Sequence, residues 1–240
     1  MHRSPRSGFT LVELLAVVAL IGVVIAFAVP AITQIMKGSQ MSQGSQVLHD
    51  TLLLARQMAI SKNHPIEVRF YRYSDPDTPG ENPDDPTAGK WRAVQLFDVL
   101  ENGAVLPAQD SGDMIRLPKG VIMHSDLYST LLKEEIRPHM EAMNDRTAPE
   151  IPLEVNGKKV GRNYWISAFR FLPDGSTDLP PAASDSGGSD GSNSSTSDDR
   201  WYVTMIGLND ENKAIEQTNF FTLQIDPVNG SLKTFRPNAR

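Results

Sequence analysis

Residues 7–32 read SGFTLVELLAVVALIGVVIAFAVPAI. From Phe9 to Val29 only Thr10, Glu13 and Gly22 interrupt the apolar side chains. A helix over 9–32 is roughly 36 Å long at about 1.5 Å per residue. The hydrocarbon core of a bilayer is roughly 30 Å thick, so the stretch reads as a transmembrane span with some tilt. Glu13 does not belong in a plain anchor. An ionisable group inside a membrane helix costs about 2.5–3.5 kcal/mol on insertion scales and marks function with a partner. A carboxylate in lipid needs a cation, so the sequence poses the question of what pairs with Glu13.

A secretory signal peptide is the bland alternative. It needs a basic start, an apolar stretch of about 7–15 residues and a small-residue cleavage site. Arg3 and Arg6 supply the basic start. The apolar run is too long, however, and AITQIMKG continues in helical fashion after Pro30 with no A-x-A site.

Gly8-Phe9-Thr10-Leu11-Val12-Glu13-Leu14-Leu15 resembles the prepilin cleavage and methylation motif of type IV pilins and type II secretion pseudopilins. The resemblance implies that a prepilin peptidase cuts after Gly8 and methylates the new amine of Phe9. It implies that Glu13 meets a subunit's N-terminal amine during filament assembly, setting axial register, and that Pro30 falls where such helices kink. Lipid chemistry agrees, since an α-amine freed at Phe9 is the nearest cation for Glu13, and a neighbour's amine serves as well.

At 240 residues, 40% of them hydrophobic, the chain has room for one ordinary domain beyond the anchor. Seventeen Gly and seventeen Pro point to a loop-rich remainder. Cysteine is absent, so no disulfide is available, and the chain departs here from the many pilins that close a C-terminal loop with one. Removing Met1–Gly8 takes Arg3 and Arg6 away and leaves 21 basic against 29 acidic residues, a net charge of −8. Such a domain is a poor match to the DNA backbone, which proteins bind through Lys/Arg clusters. The two arginines before the span place the N-terminus in the cytoplasm and the remainder in the periplasm.

Past the membrane, Val47, Leu48, Leu52, Ala55, Met58 and Ala59 recur at helical spacing. The reading is one long helix over 9–61, broken or bent near Pro30 and Gly38, weakened at Gly44, and stopped at Lys62-Asn63-His64-Pro65. Its second half carries an apolar stripe for packing on a sheet. Strands are expected at 66–73, 91–100, around Ile115 or 121–124, and at 164–172, 201–208, 219–226 and 231–235. Trp91, Ala93 and Phe97 are the expected buried positions of the second. Residues 125–136, SDLYSTLLKEEI, read as a short helix and 137–160 as irregular. The Ser/Asp/Gly tract 184–199 reads as a disordered loop.

The segment LLLARQMAISKNHPIEVRF (52–70), with its L..AR..A pattern, resembles the minor pseudopilin H/FimT-like group, as do FRFLPDGST (169–177) and the hairpin FFTLQIDPVNGSLKTF (220–235). The arrangement of RFYRYSDPDTPGE (69–81) and WRAVQLF (91–97) resembles the pilin-like Verru_Chthon cassette protein D group more closely still. The fold expected is α+β and pilin-like: a leader 1–8, a helix 9–61 with 9–32 in the membrane, and a mostly antiparallel sheet within 62–240.

No catalytic constellation is present. His2, His49, His64, His124 and His139 lack metal spacing, and no nucleophile elbow or phosphate loop occurs. Two acidic clusters are candidates for calcium, Asp75, Asp77, Glu81, Asp84 and Asp85, and Asp185, Asp190, Asp198 and Asp199, although neither follows the ordered loop pattern. Trp91, Trp165, Trp201, Phe169, Phe171, Phe220 and Phe221 read as core. A DNA-uptake role, which the FimT-like resemblance raises, would have to use Arg69, Arg72 and Arg92.

The function expected is structural. The chain reads as a minor pilin or pseudopilin, without cofactor, whose partners are the prepilin peptidase, other pilin subunits, an inner-membrane assembly platform and the lipid bilayer, and not nucleic acid. The rival is a non-polymerising, single-pass ectodomain that binds a ligand.

Overall fold

The computed structural model describes residues 10–78, 80–82, 89–108, 113–125, 128–133, 141–142, 153–155, 158–161, 164–180, 200–213 and 219–236. The leader with Gly8 and Phe9, the candidates Asp84 and Asp85, and the tract 184–199 lie outside these residues. The chain divides into two units, 1–39 and 40–240.

Helix α1 runs Leu11–Lys62 without interruption through Pro30 and Gly38. Of the break or bend expected there, the break does not occur: a proline costs a helix interior about 3 kcal/mol and a glycine about 1 kcal/mol, neither enough to end a helix of 52 residues. The stop comes where the sequence places it. Asn63 adopts a left-handed conformation, φ 54°, ahead of His64 and Pro65. Within the first unit every described side chain from Thr10 to Phe27 is exposed. Among the described residues no helix is long and apolar enough to cross a membrane. The described side chains of the apolar run stop at Phe27, while the sequence continues it to Ile32.

In the second unit the helix buries Met41, Gly44, Ser45, Leu48, Thr51, Leu52, Ala55, Met58 and Ala59, an i, i+3, i+4, i+7 stripe. Gly44 has a packing reason for its size. A Cβ there would lie 3.2 Å from Val121 Cγ1 and 3.3 Å from Pro118 Cδ.

The stripe packs on a ten-stranded antiparallel sheet. Its strands are β1 (Ile66–Tyr73), β2 (Lys90–Val99), β3 (Val105–Pro107), β4 (Ile115–Arg116), β5 (Val121–Met123), β6 (Glu141–Ala142), β9 (Tyr164–Phe171), β10 (Trp201–Gly207), β11 (Phe221–Ile225) and β12 (Leu232–Phe235), with β7 (Leu153–Val155) and β8 (Lys158–Gly161) forming a separate hairpin. The order is β12-β11-β10-β5-β2-β1-β9-β6, and β3, β4 and β5 share one edge of β2. The hairpin corrects the expectation of an irregular 137–160.

Alternation along β1 sends Ile66, Val68 and Phe70 to the helix with Leu96, Phe169 and Phe171. Tyr71, Tyr73, Ala93, Tyr164 and Ile166 form a second apolar cluster apart from it. Trp91, Ala93 and Phe97 are buried as expected. The register slips between Tyr71 and Arg72, so that Tyr71 faces Ala93 and Arg72 faces Trp91, leaving Arg92 as the extra residue of a bulge.

The helix expected at 125–136 is corrected. Among its described residues Tyr128 and Thr130–Leu132 form 3-10 turns and none is α-helical. Hydroxyls of Ser129 and Thr130 bond strand β10 instead. Thr204 N–H donates to Ser129 Oγ at 2.9 Å and Tyr202 N–H to Thr130 Oγ1 at 2.9 Å. Leu131 and Leu132 are fully buried, so tertiary contacts override the local helical pattern.

Candidate functional site

The helix start is built by Thr10 and Glu13. Thr10 N–H and Thr10 Oγ1–H both donate to Glu13 Oε2 at 2.9 Å, and Glu13 N–H donates back to Thr10 Oγ1 at 3.3 Å. This reciprocal arrangement is a capping box, which satisfies donors that a helix N-terminus otherwise leaves open. Within this chain Glu13 therefore already has a partner. Thr10 was not singled out as a site residue, although a Thr followed three positions later by Glu before an apolar run is the signal for it. Pro30 lies inside α1.

Among the described acidic candidates, Asp75 and Glu81 are occupied by one of the chain's own groups. The bulge residue Arg92, 8% exposed, donates from Nη1 to Asp75 Oδ2 and Thr78 Oγ1, both at 3.3 Å, and from Nη2 to Glu81 Oε1. Asp77 N–H donates to Asp75 Oδ1 at 2.9 Å. Asp75 and Glu81 thus serve an internal guanidinium. Among the described residues no group of three or more His, Asp or Glu is gathered as for a metal.

The same holds for the cations that a DNA interface would use. Arg69 Nε donates to Glu67 Oε1 at 2.6 Å and its guanidinium lies 4.2 Å from the centre of the Phe97 ring. Arg170 Nε reaches the other oxygen of Glu67 at 2.9 Å, and Arg72 Nε donates to the Gly89 carbonyl at 2.9 Å. Among the histidines, His64 Nε2 lies 2.8 Å from Asp98 Oδ1 and His49 Nδ1 3.2 Å from Asp50 Oδ1.

The prokaryotic N-terminal methylation motif matches residues 3–29. The chain is 31% identical over 179 residues to the type IV major fimbrial protein FimA of Dichelobacter nodosus, a match spanning 74% of this chain and 92% of the relative. The chain belongs to the type IV pilin family. Motif, relative and the helix-on-sheet architecture together make it a pilin or pseudopilin filament subunit. The structure also aligns with the minor pseudopilin EpsH from the type 2 secretion system of Vibrio cholerae, over 83% of this chain and 99% of that one, at 11% identity and a TM-score of 0.39. At that score the likeness decides nothing further.

In this pilin the residues that tie helix to sheet are legible only in three dimensions. Arg56 Nε donates to the carbonyls of Gly175, at 3.1 Å, and Asn229, at 3.2 Å, so it joins α1 to two turns. The turns also hold each other, since Thr177 N–H donates to the Pro227 carbonyl at 2.9 Å. A Cβ at Gly230, φ +64°, would lie 2.1 Å from the Gly175 carbonyl oxygen, so only glycine fits. At the helix end, Lys62 Nζ lies 3.2 Å from both oxygens of Asp98, which also takes His64. Burial alone would raise the Asp98 carboxyl, but the hydrogen bonds from His64 and Lys62 outweigh it and hold it below its ordinary value.

Proposed function

We propose that this pilin is made as a precursor, cut between Gly8 and Phe9, methylated on the Phe9 amine and assembled through its N-terminal helix into a filament. Before assembly it waits as a single-pass protein of the inner membrane, its N-terminus cytoplasmic and the domain from residue 62 onward periplasmic. The observation that carries this reading is the run Leu11–Phe27, exposed throughout and apolar but for Glu13 and Gly22. A surface of that kind is stable in lipid or against other apolar helices, and a filament core replaces the first with the second.

Glu13 supplies the register. In the free subunit Thr10 holds its carboxylate. In the filament a charged amine at Phe9, on its own or a neighbouring chain, is the stronger partner, because it adds the attraction of a full opposite charge to the hydrogen bond that Thr10 alone supplies. The role is structural and not enzymatic. We read the chain as a minor subunit, on the resemblance of residues 52–70 and 169–177 to minor pseudopilins.

Intact mass and N-terminal sequence of the protein recovered from membranes test the processing. A chain beginning at methylated Phe9 supports it. A chain beginning at Met1 leaves a permanent anchor, and one beginning near Ala31 means a cleaved signal peptide. Subunit ratios in sheared filaments test the minor role, which predicts this chain well below one copy per major subunit.

A further inference from the structure

We propose that the cleft between β1, β2 and the turn leading into β5 binds a small phosphate oxyanion. The cleft has a volume of about 220 Å³, and all of its lining residues belong to the second unit. Tyr73 at the end of β1, Arg92 in the bulge of β2 and Lys119 in the turn before β5 line it.

Donors and acceptors in this cleft are unequally used. The side-chain acceptors of the loop 75–78 already meet donors of the chain. Asp75 accepts from Arg92 Nη1 through Oδ2 and from the Asp77 N–H through Oδ1. Thr78 Oγ1 accepts from the same guanidinium, and Asp77 has a partner of its own. The donors stand differently. Neither the Tyr73 hydroxyl nor the Lys119 ammonium makes a hydrogen bond among the described residues, and Arg92 Nε is buried without a partner. Tyr73 is 1% exposed, so its hydroxyl is an unmatched polar group in a nearly dry wall. Burial raises the phenol above its ordinary value of 10.0, which keeps it protonated and able to donate. A buried hydroxyl costs stability until a hydrogen-bond partner reaches it.

Spare donors beside committed acceptors describe a ligand that accepts. Charge points the same way. Arg92 is answered by Asp75 and Glu81, whereas Lys119 has no carboxylate within ion-pair distance among the described residues. The donors come from three separate elements. A phosphate group presents its oxygens tetrahedrally and can meet them together, whereas a carboxylate offers two oxygens in one plane. Lysine serves phosphate as a point charge. The oxyanion belongs either to a soluble phosphate compound or to a phospholipid headgroup.

Full-length protein in a maltoside detergent, titrated with inorganic phosphate and followed by the width of the phosphorus NMR line, tests this. The unaltered protein should broaden the line, and Tyr73→Phe and Lys119→Ala should each weaken binding about tenfold. Tyr73→Phe should melt no lower than the unaltered protein in phosphate-free buffer, since the hydroxyl it loses has no partner in the chain. A line that stays sharp with the unaltered protein, or that broadens equally with all three, overturns the site. So does a Tyr73→Phe protein that melts well below the unaltered one. Nanodiscs of phosphatidylglycerol then name the source. Phosphate that binds in detergent but not in nanodiscs assigns the site to a headgroup, and binding in both assigns it to a soluble phosphate.

Discussion

The two units of this pilin solve the burial of apolar surface in opposite ways. In 40–240 the helix shows one stripe to a sheet, and Leu48 and Leu52 are wholly buried. In 1–39 the same helix is apolar on all sides, and Leu11 and Phe27 are 78% and 77% exposed. The unit 40–240 is finished by its own chain, whereas the exposed apolar helix of 1–39 is, on the function proposed above, finished by lipid or by other subunits. Folding and assembly are thus written into different parts of one helix, and substitutions should separate them.

The sharpest separation is expected at the proposed cleavage site. Gly8→Ala is expected to abolish processing while the ectodomain melts as in the unaltered protein; mature-length chain on a gel would contradict it. Next comes Glu13→Ala, which should still be cleaved yet assemble poorly, and normal numbers of subunits in filaments would refute the register role. On the other side of the divide, Leu52→Ala should destabilise the ectodomain by about 2–5 kcal/mol in denaturant melts and leave cleavage intact. Gly230→Ala belongs with it, since a methyl would strike the Gly175 carbonyl oxygen at a backbone angle that disfavours any side chain.

The smallest effect is set by acid. Asp98 has a lowered carboxyl in the folded protein, so its contribution is present above the unfolded value of 3.8 and is lost as pH falls through the lower, folded value. Asp98→Asn should flatten that last part of the acid unfolding curve by about 1 kcal/mol or less, as expected of one partly exposed ion pair. An unchanged acid profile would show that Lys62 and His64 do not hold it.

The helix, its stop and most long strands were readable because each rests on local signals: a 3.6-residue stripe, an Asn-His-Pro stop and alternating apolar runs. The N-terminal motif was readable for another reason, that its chemistry lies in consecutive residues. Two local signals went unread. Asn156-Gly157 between Val155 and Lys158 is the pattern of a two-residue hairpin, and Thr10 with Glu13 is that of a capping box. The rest was not local. Arg92 reads as one charged residue in a strand, and only a bulge turns it onto Asp75 and Glu81. The sequence 125–136 has helical spacing, yet Ser129 and Thr130 find better partners some 70 residues away. The acidic loop with Asp75 and Glu81 suggested cation binding, and for these two carboxylates the structure supplies a cation from within, Arg92.

The two bonds from Arg56 span 119 and 173 positions of sequence. A helix made early in synthesis is thus pinned to its sheet by almost the last turn to emerge. Contacts of such long separation close slowly, because loop entropy is paid before they reward it. The second unit cannot reach its final state until residue 230 is available. A chain cut short before that turn would carry the whole of α1 on a domain that lacks the Asn229 end of this clasp.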